Sequence, residues 1–202
     1  MKNGEIVDRY TDISSTYNRR ISLTNTFILK RLRKKLINKS KGKILEIAAG
    51  SGANFLYYSK SQNITCIDLT PAMLKLAKKE AEKISLKVKL KIADAENLPF
   101  KSNSFNTVIE TLGLCTYNDP VKALKEMKRV CKKNGRILLL EHGKSKNLFI
   151  SKLQSFKEKH FFKKKCCKLT RDHCDLVEES GLKILKAERK FFGVIYFIVA
   201  RP

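Results

Sequence analysis

A chain of 202 residues with 43% hydrophobic and 31% charged residues has the composition of one globular domain, not of a disordered segment. No apolar run approaches the roughly 20 residues of a membrane-spanning helix, and the first 20 residues lack the apolar part of a secretory signal. We therefore expect an intracellular protein, cytoplasmic or mitochondrial, that is soluble or peripheral to a membrane. The formal net charge of +24 leaves contacts with anionic membranes and with nucleic acids open.

The N-terminal segment is strongly basic, since residues 1–41 carry eleven basic and three acidic side chains. Residues 24–37 have the spacing of an amphipathic helix. This helix would turn four apolar side chains inward: Phe27, Ile28, Leu32 and Leu36.

From residue 43 onward, short apolar runs typical of strands alternate with helical patterns. Strands are predicted at residues 43–47, 64–67, 88–92, 107–110 and 136–141, with helices at residues 54–59, 72–84 and 121–131. Residues 182–187 and 193–200 are predicted as two further strands that form a terminal hairpin. The alternation predicts an α/β fold with a doubly wound, mostly parallel sheet of seven strands and a C-terminal antiparallel hairpin.

We predict a single domain over residues 1–202 with four parts. Residues 42–143 form a ligand-binding core, preceded by a helical segment over residues 1–41. Residues 144–174, with ten basic and two acidic side chains, form a basic insertion that caps the core. Residues 175–202 supply the last helix and the terminal strands. Residues 1–41 and 144–174 together supply +16 of the net charge, which indicates either an anionic partner or a lysine-rich composition.

The six cysteines are scattered, several of them within apolar runs, as is typical of proteins in a reducing compartment. Four possible metal ligands lie close together in the sequence: Cys166, Cys167, His173 and Cys174. Their spacing matches no accepted zinc motif, so we predict that the protein binds no metal.

A turn of small residues follows the first predicted strand and contains Gly50 and Gly52. Glycine at these positions lets the backbone approach a ligand closely. A dinucleotide-binding turn would have a third small residue where this chain has Phe55, and the lysine of a phosphate-binding loop is missing as well.

Carboxylates lie at the ends of the next strands. Asp68 ends the second strand and can accept both hydroxyls of a ribose, whereas Asp94, after the third, can accept from an exocyclic amine. Glu110 ends the fourth strand. Because ligands bind beyond the carboxyl ends of such strands, these acids predict a site for a cationic nucleoside.

These motifs carry a family resemblance. Residues 45–52, Asp68, residues 94–100 and residues 105–108 resemble class I S-adenosylmethionine-dependent methyltransferases of type 11, the branch that contains the ubiquinone and menaquinone C-methyltransferases. The resemblance implies a Rossmann-like fold, an N-terminal helical lid, and S-adenosyl-L-methionine as cofactor with S-adenosyl-L-homocysteine as product.

The resemblance also implies the roles of individual residues. Glu46, Gly50 and Gly52 would bind the methionine end of the cofactor, Asp68 its ribose, and Asp94 with Ala95 its adenine. Further cofactor contacts are expected from Ala48, which stands where the family usually has a glycine, and from Asn54, Leu69, Glu110, Thr111, Tyr10 and Tyr17. In the lid, Asn18 replaces the usual aspartate.

Residues 112–115, 141–142 and 167–172 resemble the methyltransferase-like 7 proteins, which methylate alkyl thiols. His142, just past the fifth strand, is either the base that deprotonates a thiol, phenol or enol, or a histidine that hydrogen-bonds its loop. Cys115 either lines the acceptor pocket or fills the core as a small apolar side chain.

The leading hypothesis is an enzyme that methylates a small-molecule acceptor: a thiol, a lipid or a quinone-like compound. Its basic segments could rest on an anionic membrane surface. One alternative is an RNA methyltransferase, which the charge permits but the motifs disfavour, since the fourth strand lacks the Asn-Pro-Pro-Tyr type of sequence. The other alternative is a non-catalytic, cofactor-binding assembly factor.

Overall fold

The computed structural model describes the backbone of residues 3–24 and 27–202, and their side chains apart from residues 18–24, 164 and 165. The helices are α1 (Asn3–Thr24), α2 (Phe27–Ile37), α3 (Pro71–Lys83), α4 (Pro120–Val130), α5 (Leu148–Lys165) and α6 (His173–Glu179). The strands are β1 (Lys43–Ile47), β2 (Asn63–Asp68), β3 (Val88–Ile92), β4 (Phe105–Thr111), β5 (Cys131–His142), β6 (Lys183–Lys190) and β7 (Ile195–Arg201).

The described strands form one sheet in the order β3-β2-β1-β4-β5-β7-β6. Strands β1 to β5 run parallel, and β7 is antiparallel to both β5 and β6. This order confirms the predicted Rossmann-like fold with its antiparallel C-terminal strands. The strand order reverses between β1 and β4, which is the point where ligands bind in open sheets of this kind.

Alternating strand residues build a hydrophobic core on each face of the sheet. On one face Leu45, Val108 and Leu139 pack with α4, and on the other Ile44 and Leu140 pack with α2 and α3. This alternation follows from the two-residue period of a strand. The sheet is therefore buried on both sides, and its carboxyl edge is left for a ligand.

Helix α2 buries a different set of residues from the one predicted. Leu32 and Leu36 are buried as expected, but Phe27 and Ile28 are 78% and 41% exposed. The buried residues lie in the later turns of the helix, where Arg33 is buried beside the two leucines. An arginine therefore lies in the interior at a position that the sequence pattern had assigned to solvent.

The structure also differs from the predictions at residues 54–59 and at the start of β5. Residues 54–59 contain only a short 3-10 turn, Phe55–Tyr57, because the backbone N–H groups here bond to carbonyls three residues back. Strand β5 begins at Cys131 rather than at residue 136, since Cys131 pairs with Phe105 across a register shift. Among the described residues, no helix is both long and apolar enough to cross a membrane.

Candidate active site

A cavity lies at the carboxyl edge of the sheet, beneath α1 and α2. Its wall is built from the ends of four neighbouring strands and from the two helices. Nine of the predicted cofactor residues line it: Tyr10, Tyr17, Ala48, Gly50, Asp68, Leu69, Asp94, Ala95 and Thr111. The fold therefore gathers residues that are up to about a hundred positions apart into one site.

The turn after β1 forms one wall of this cavity. Its backbone is left-handed at Ala48, Gly50 and Gly52, with φ of 50°, 57° and 84°. The N–H of Gly50 donates to Oδ2 of Asp68 at 2.8 Å. A Cβ atom on Gly50 would lie 3.7 Å from the hydroxyl of Tyr17. A side chain at this position would therefore enter the space between the β1 turn and helix α1.

We expect Ala48→Gly to stabilise the protein by roughly 0.5–1 kcal/mol. A left-handed conformation costs an L-residue about 1–2 kcal/mol, and glycine removes this steric cost. Glycine also loses more backbone entropy on folding than alanine does, which offsets part of the gain. Ala49→Gly is the matched control, because φ at Ala49 is not positive and the same substitution should destabilise there. Urea unfolding of both variants measures the difference; an Ala48→Gly protein less stable than wild type would contradict the assignment of strain.

Asp68 and Asp94 face the cavity from the ends of β2 and β3. Asp68 accepts hydrogen bonds from the N–H groups of Gly50 and Thr70, at 2.8 and 2.9 Å. Burial nevertheless raises the pKa of Asp68 above its ordinary value. A carboxylate has about four acceptor positions, so each oxygen keeps a lone pair for a ligand hydroxyl or amine.

Helix α1 covers the cavity and is fastened to Asp94. Nδ2 of Asn3 donates to Oδ2 of Asp94 at 2.7 Å, and Oδ1 of Asn3 accepts from Asn118 at 3.0 Å. Burial beneath this helix raises the pKa of Tyr10 well above its usual range and that of Tyr17 to about 12. Sequence reasoning missed Asn3, and the side chain of Asn18 lies outside the described residues.

A buried polar network stands behind the cavity wall. Nη1 of Arg33 donates to Oδ1 of Asn54 and to Oγ1 of Thr111, both at 2.8 Å. Asn54 donates to Oε1 of Glu46 at 2.9 Å, and the hydroxyl of Tyr58 donates to Oε2 at 2.7 Å. Burial raises the pKa of Glu46 although these bonds and Arg33 favour its charged form.

Four predicted cofactor residues are absent from the described lining of the cavity: Glu46, Gly52, Asn54 and Glu110. Glu46 and Asn54 belong to the network with Arg33. Gly52 is packed against the ring of Phe55, since a Cβ there would lie 2.6 Å from that ring. Direct contact of these four residues with a cofactor stays a prediction. The structure shows that Glu46, Asn54 and Gly52 take part in the packing of the β1 turn.

Glu110 and Glu141 form a fully buried pair of carboxyl groups on adjacent strands. Burial, the charge of Glu141 and a hydrogen bond with it raise the pKa of Glu110 well above its ordinary value of 4.5. Two charged carboxylates this close repel each other, so Glu110 holds its proton in the folded protein at pH values where an exposed glutamate has lost it.

Glu110→Gln should therefore stabilise the protein increasingly as the pH rises. A raised folded pKa gives stability that is complete below about 4.5 and is lost as the pH rises through the folded value. Glutamine does not titrate, so the free energy of unfolding of the variant relative to wild type should climb between pH 4.5 and 8. Denaturant titrations across this range measure it, and a difference that is independent of pH would contradict the protonated state of Glu110.

The two predicted catalytic residues lie together beside the cavity. Cys115 is in the loop after β4, His142 is the last residue of β5, and Cys167 joins them from the segment between α5 and α6. Nε2 of His142 is 3.3 Å from Sγ of Cys167. A hydrogen bond from Cys115 and the contact with His142 lower the pKa of Cys167 to about 5. The base role of His142 stays a prediction, and its neighbour Cys167 was not foreseen as its partner.

Comparison with known proteins agrees with this geometry. The model of the methyltransferase domain family matches residues 45–139. The ubiquinone/menaquinone biosynthesis C-methyltransferase UbiE of Rickettsia felis is 32% identical over 168 residues, which cover 77% of this chain and 67% of that protein. This chain belongs to the class I methyltransferase family. The mitochondrial methyltransferase OMS1 of Saccharomyces cerevisiae is 30% identical over 95% of the chain and 45% of its own length.

Solved structures of low sequence identity share the fold. An S-adenosylmethionine-dependent methyltransferase from Thermotoga maritima superposes with a TM-score of 0.73 at 19% identity, over 97% of this chain and 99% of that one. The [4+2]-cyclase SpnF superposes with a TM-score of 0.64 at 20% identity, over 79% of this chain and 58% of that one. The chain spans only about half the length of some curated relatives, 45% of OMS1 and 53% of a phosphatidylethanolamine N-methyltransferase from Cereibacter sphaeroides.

Proposed function

We propose that this methyltransferase-family chain binds S-adenosyl-L-methionine in the cavity beneath α1 and transfers its methyl group to a small-molecule acceptor. The observation that carries the proposal is the convergence of the Gly50 turn, Asp68 and Asp94 on one cavity roofed by Tyr10 and Tyr17. S-adenosyl-L-methionine, when bound, supplies the electrophilic methyl group, and S-adenosyl-L-homocysteine is the product.

The cavity fits this cofactor in chemistry as well as in place. Asp68 offers two carboxylate oxygens to ribose hydroxyls, and Asp94 offers an acceptor to the adenine amine. The carboxylates also favour a ligand that carries a positive sulfonium charge. The open backbone at Gly50 leaves room for close approach, because even a Cβ atom added there would stay 3.7 Å from the nearest side-chain atoms.

The lid excludes water from the place where the methyl group is transferred. Transfer from a sulfonium is an in-line displacement, which needs an oriented acceptor and little competing water. Tyr10 and Tyr17 cover the cavity with rings that meet edge to face, 6.1 Å apart between centroids. On the far side, Leu112, Thr116 and Tyr117 line the wall after β4, where we place the acceptor.

The acceptor class is part of the proposal. The matched relatives are named for quinone methylation and for methylation of phosphatidylethanolamine. A quinone-like or lipid acceptor, or a thiol, is consistent with Leu112 and the aromatic ring of Tyr117 in the wall after β4. An acceptor of this kind needs an apolar pocket and at most one proton acceptor.

An acceptor panel with methyl-labelled cofactor tests the proposed activity. The protein is incubated with S-adenosyl-L-methionine and with a demethylated quinone, phosphatidylethanolamine, an alkyl thiol or transfer RNA. We expect equal amounts of S-adenosyl-L-homocysteine and methylated product with one of the small molecules. Transfer of the methyl group to RNA alone would mean that the acceptor is RNA and not a small molecule. Tight cofactor binding without turnover on any acceptor would favour the assembly-factor alternative.

We also propose that helix α5 rests on an anionic membrane surface, which would bring a lipid-like acceptor to the cavity. Leu148, Phe149 and Phe156 are 79–85% exposed. The same helix carries exposed lysines, one of which, Lys152, lies between Phe149 and Phe156 in the sequence. Apolar side chains beside lysines are the composition that anionic bilayers bind. Sedimentation with phosphatidylglycerol vesicles should pull the protein down, whereas phosphatidylcholine vesicles should not. Equal sedimentation with both lipids, or none with either, would contradict this placement.

A further inference from the structure

Three side chains with metal-binding atoms meet beside the cavity. Sγ of Cys115, a ring nitrogen of His142 and Sγ of Cys167 all lie within 4.8 Å of one another. Within this group, Nε2 of His142 and Sγ of Cys167 are 3.3 Å apart. Ligand atoms of a tetrahedral zinc ion, at about 2.0–2.3 Å from the metal, stand at separations of this size.

The backbone holds the three residues in place without help from a metal. The N–H of Lys168 donates to the carbonyl of Cys115 at 3.0 Å, which ties the segment of Cys167 to the loop of Cys115. The ring of His173 bonds to the carbonyl of His142 at 2.9 Å. Cys115 and Cys167 are 3% and 8% exposed, and both are free thiols. The donor set is therefore built before any ligand arrives.

The donor types select a class of ligand. Two thiolates and an imidazole are soft ligands that favour Zn²⁺ over Mg²⁺ or Ca²⁺, which prefer oxygen. Three protein ligands with an open fourth position are a pattern of catalytic zinc sites. We propose that Cys115, His142 and Cys167 bind a thiophilic divalent cation, Zn²⁺ by preference, with the fourth position taken by water or another small donor.

The surroundings balance the charge of such a site. With both cysteines bound as thiolates, the cation and the two thiolates together carry no net charge. Arg171 interacts with both thiols and donates to the carbonyls of Leu114 and Tyr117. Its positive charge favours the thiolate form that a metal requires. Glu141, next to His142, interacts electrostatically with both cysteines and offsets the arginine.

The proposed metal site adjoins the cofactor cavity. Thr116 and Tyr117, which directly follow Cys115, line the cavity. Tyr10 of the lid also lines it and interacts electrostatically with the thiols of Cys115 and Cys167. In this assignment His142 is a ligand and not the general base predicted from the sequence. Motif spacing along the sequence does not reveal this cluster, because its ligands come from three separate segments.

Cobalt titration of the reduced, chelator-treated protein tests the site. Co²⁺ is the probe, because a tetrahedral thiolate site gives it intense visible and near-ultraviolet absorption bands. Thiol counting first verifies that all six cysteines are reduced. We expect one equivalent of Co²⁺ to bind and to be displaced by Zn²⁺. Cys115→Ser and Cys167→Ser should weaken binding at least tenfold, whereas the control Cys174→Ser should bind like wild type.

A second measurement on the wild-type protein avoids dependence on the variants. Zn²⁺ should slow alkylation of Cys115 and Cys167 at least tenfold, and it should leave the partly exposed Cys174 unaffected. Fully reduced wild-type protein that gives no tetrahedral cobalt spectrum would overturn the proposal. A spectrum that survives in both the Cys115 and Cys167 variants would overturn it as well. Neither readout depends on binding or turnover of S-adenosyl-L-methionine.

Discussion

Asp68→Ala should weaken the binding of S-adenosyl-L-homocysteine by about 100-fold or more. The carboxylate is expected to accept both ribose hydroxyls, and a hydrogen bond to a charged group contributes about 1.5–3 kcal/mol. Two such bonds correspond to a change in Kd of two orders of magnitude or more. Asp68 also holds the N–H of Gly50, so its loss would loosen the turn that forms the opposite wall. Calorimetric titration of the variant and of wild type measures the effect.

Two further variants separate the charge of Asp68 from its position. Asp68→Asn keeps one carbonyl oxygen for the backbone and should lose about tenfold in affinity, less than the alanine variant. Asp175→Ala removes an exposed acid of α6, outside the described lining of the cavity, and should bind like wild type. Unchanged affinity in Asp68→Ala would remove the ribose role from this residue.

Arg33→Met should destabilise the protein by about 3 kcal/mol. Arg33 is 5% exposed, and its Nη1 donates hydrogen bonds to Oδ1 of Asn54 and Oγ1 of Thr111. Its charge also opposes that of the buried Glu46, and removing one partner from a buried charge pair typically costs about 3–5 kcal/mol. Methionine fills much of the same volume, so the loss would come from polar groups left without partners. Urea unfolding at pH 7 is the measurement.

Arg31→Met is the matched control for this prediction. Arg31 lies on the exposed side of the same helix, where the substitution should change the free energy of unfolding by less than about 0.5 kcal/mol. Because Arg33 also lines the cavity, its variant should bind the cofactor more weakly at temperatures where it is still folded. Equal stability of the two variants would mean that the network behind the cavity contributes little.

The order of elements could be predicted because local signals agree with the sheet. Short apolar runs mark β1 to β5, and proline at the starts of α3 and α4 marks where those helices begin. The start of β5 was missed because Cys131 joins the sheet through a register shift with Phe105, which no local pattern encodes. Phe27 and Ile28 were assigned to the core because the periodicity of α2 shows which face of the helix is apolar. It does not show how much of that face is covered by the rest of the protein, and both residues are exposed.

The cofactor cavity was predictable for a topological reason. The carboxyl ends of parallel strands share one edge, so Gly50, Asp68 and Asp94 had to lie near one another once the sheet was parallel. Arg33 and Asn3 were missed, because an arginine on an amphipathic helix and an asparagine near the N-terminus normally face solvent. Nothing in their neighbourhood signals burial or a contact with Asp94.

The cluster of Cys115, His142 and Cys167 illustrates a different limit. Each residue stands in a separate segment, and only the packing of the segment after α5 against the loop after β4 joins them. His142 and Cys115 could be singled out from their positions at strand ends. Cys167 could not be paired with them, since its sequence neighbours Cys166 and Cys174 drew attention to a spacing that matches no metal motif.

Calorimetric titration of the wild-type protein with S-adenosyl-L-methionine and with S-adenosyl-L-homocysteine tests the central claim most directly. The claim is that the cavity between the β1 turn, Asp68, Asp94 and helix α1 holds this cofactor. We predict one saturable site per chain for both compounds, with Kd values in the micromolar range. Absence of binding of either compound to protein that unfolds cooperatively would contradict the assigned cofactor site and the proposed methyl transfer with it.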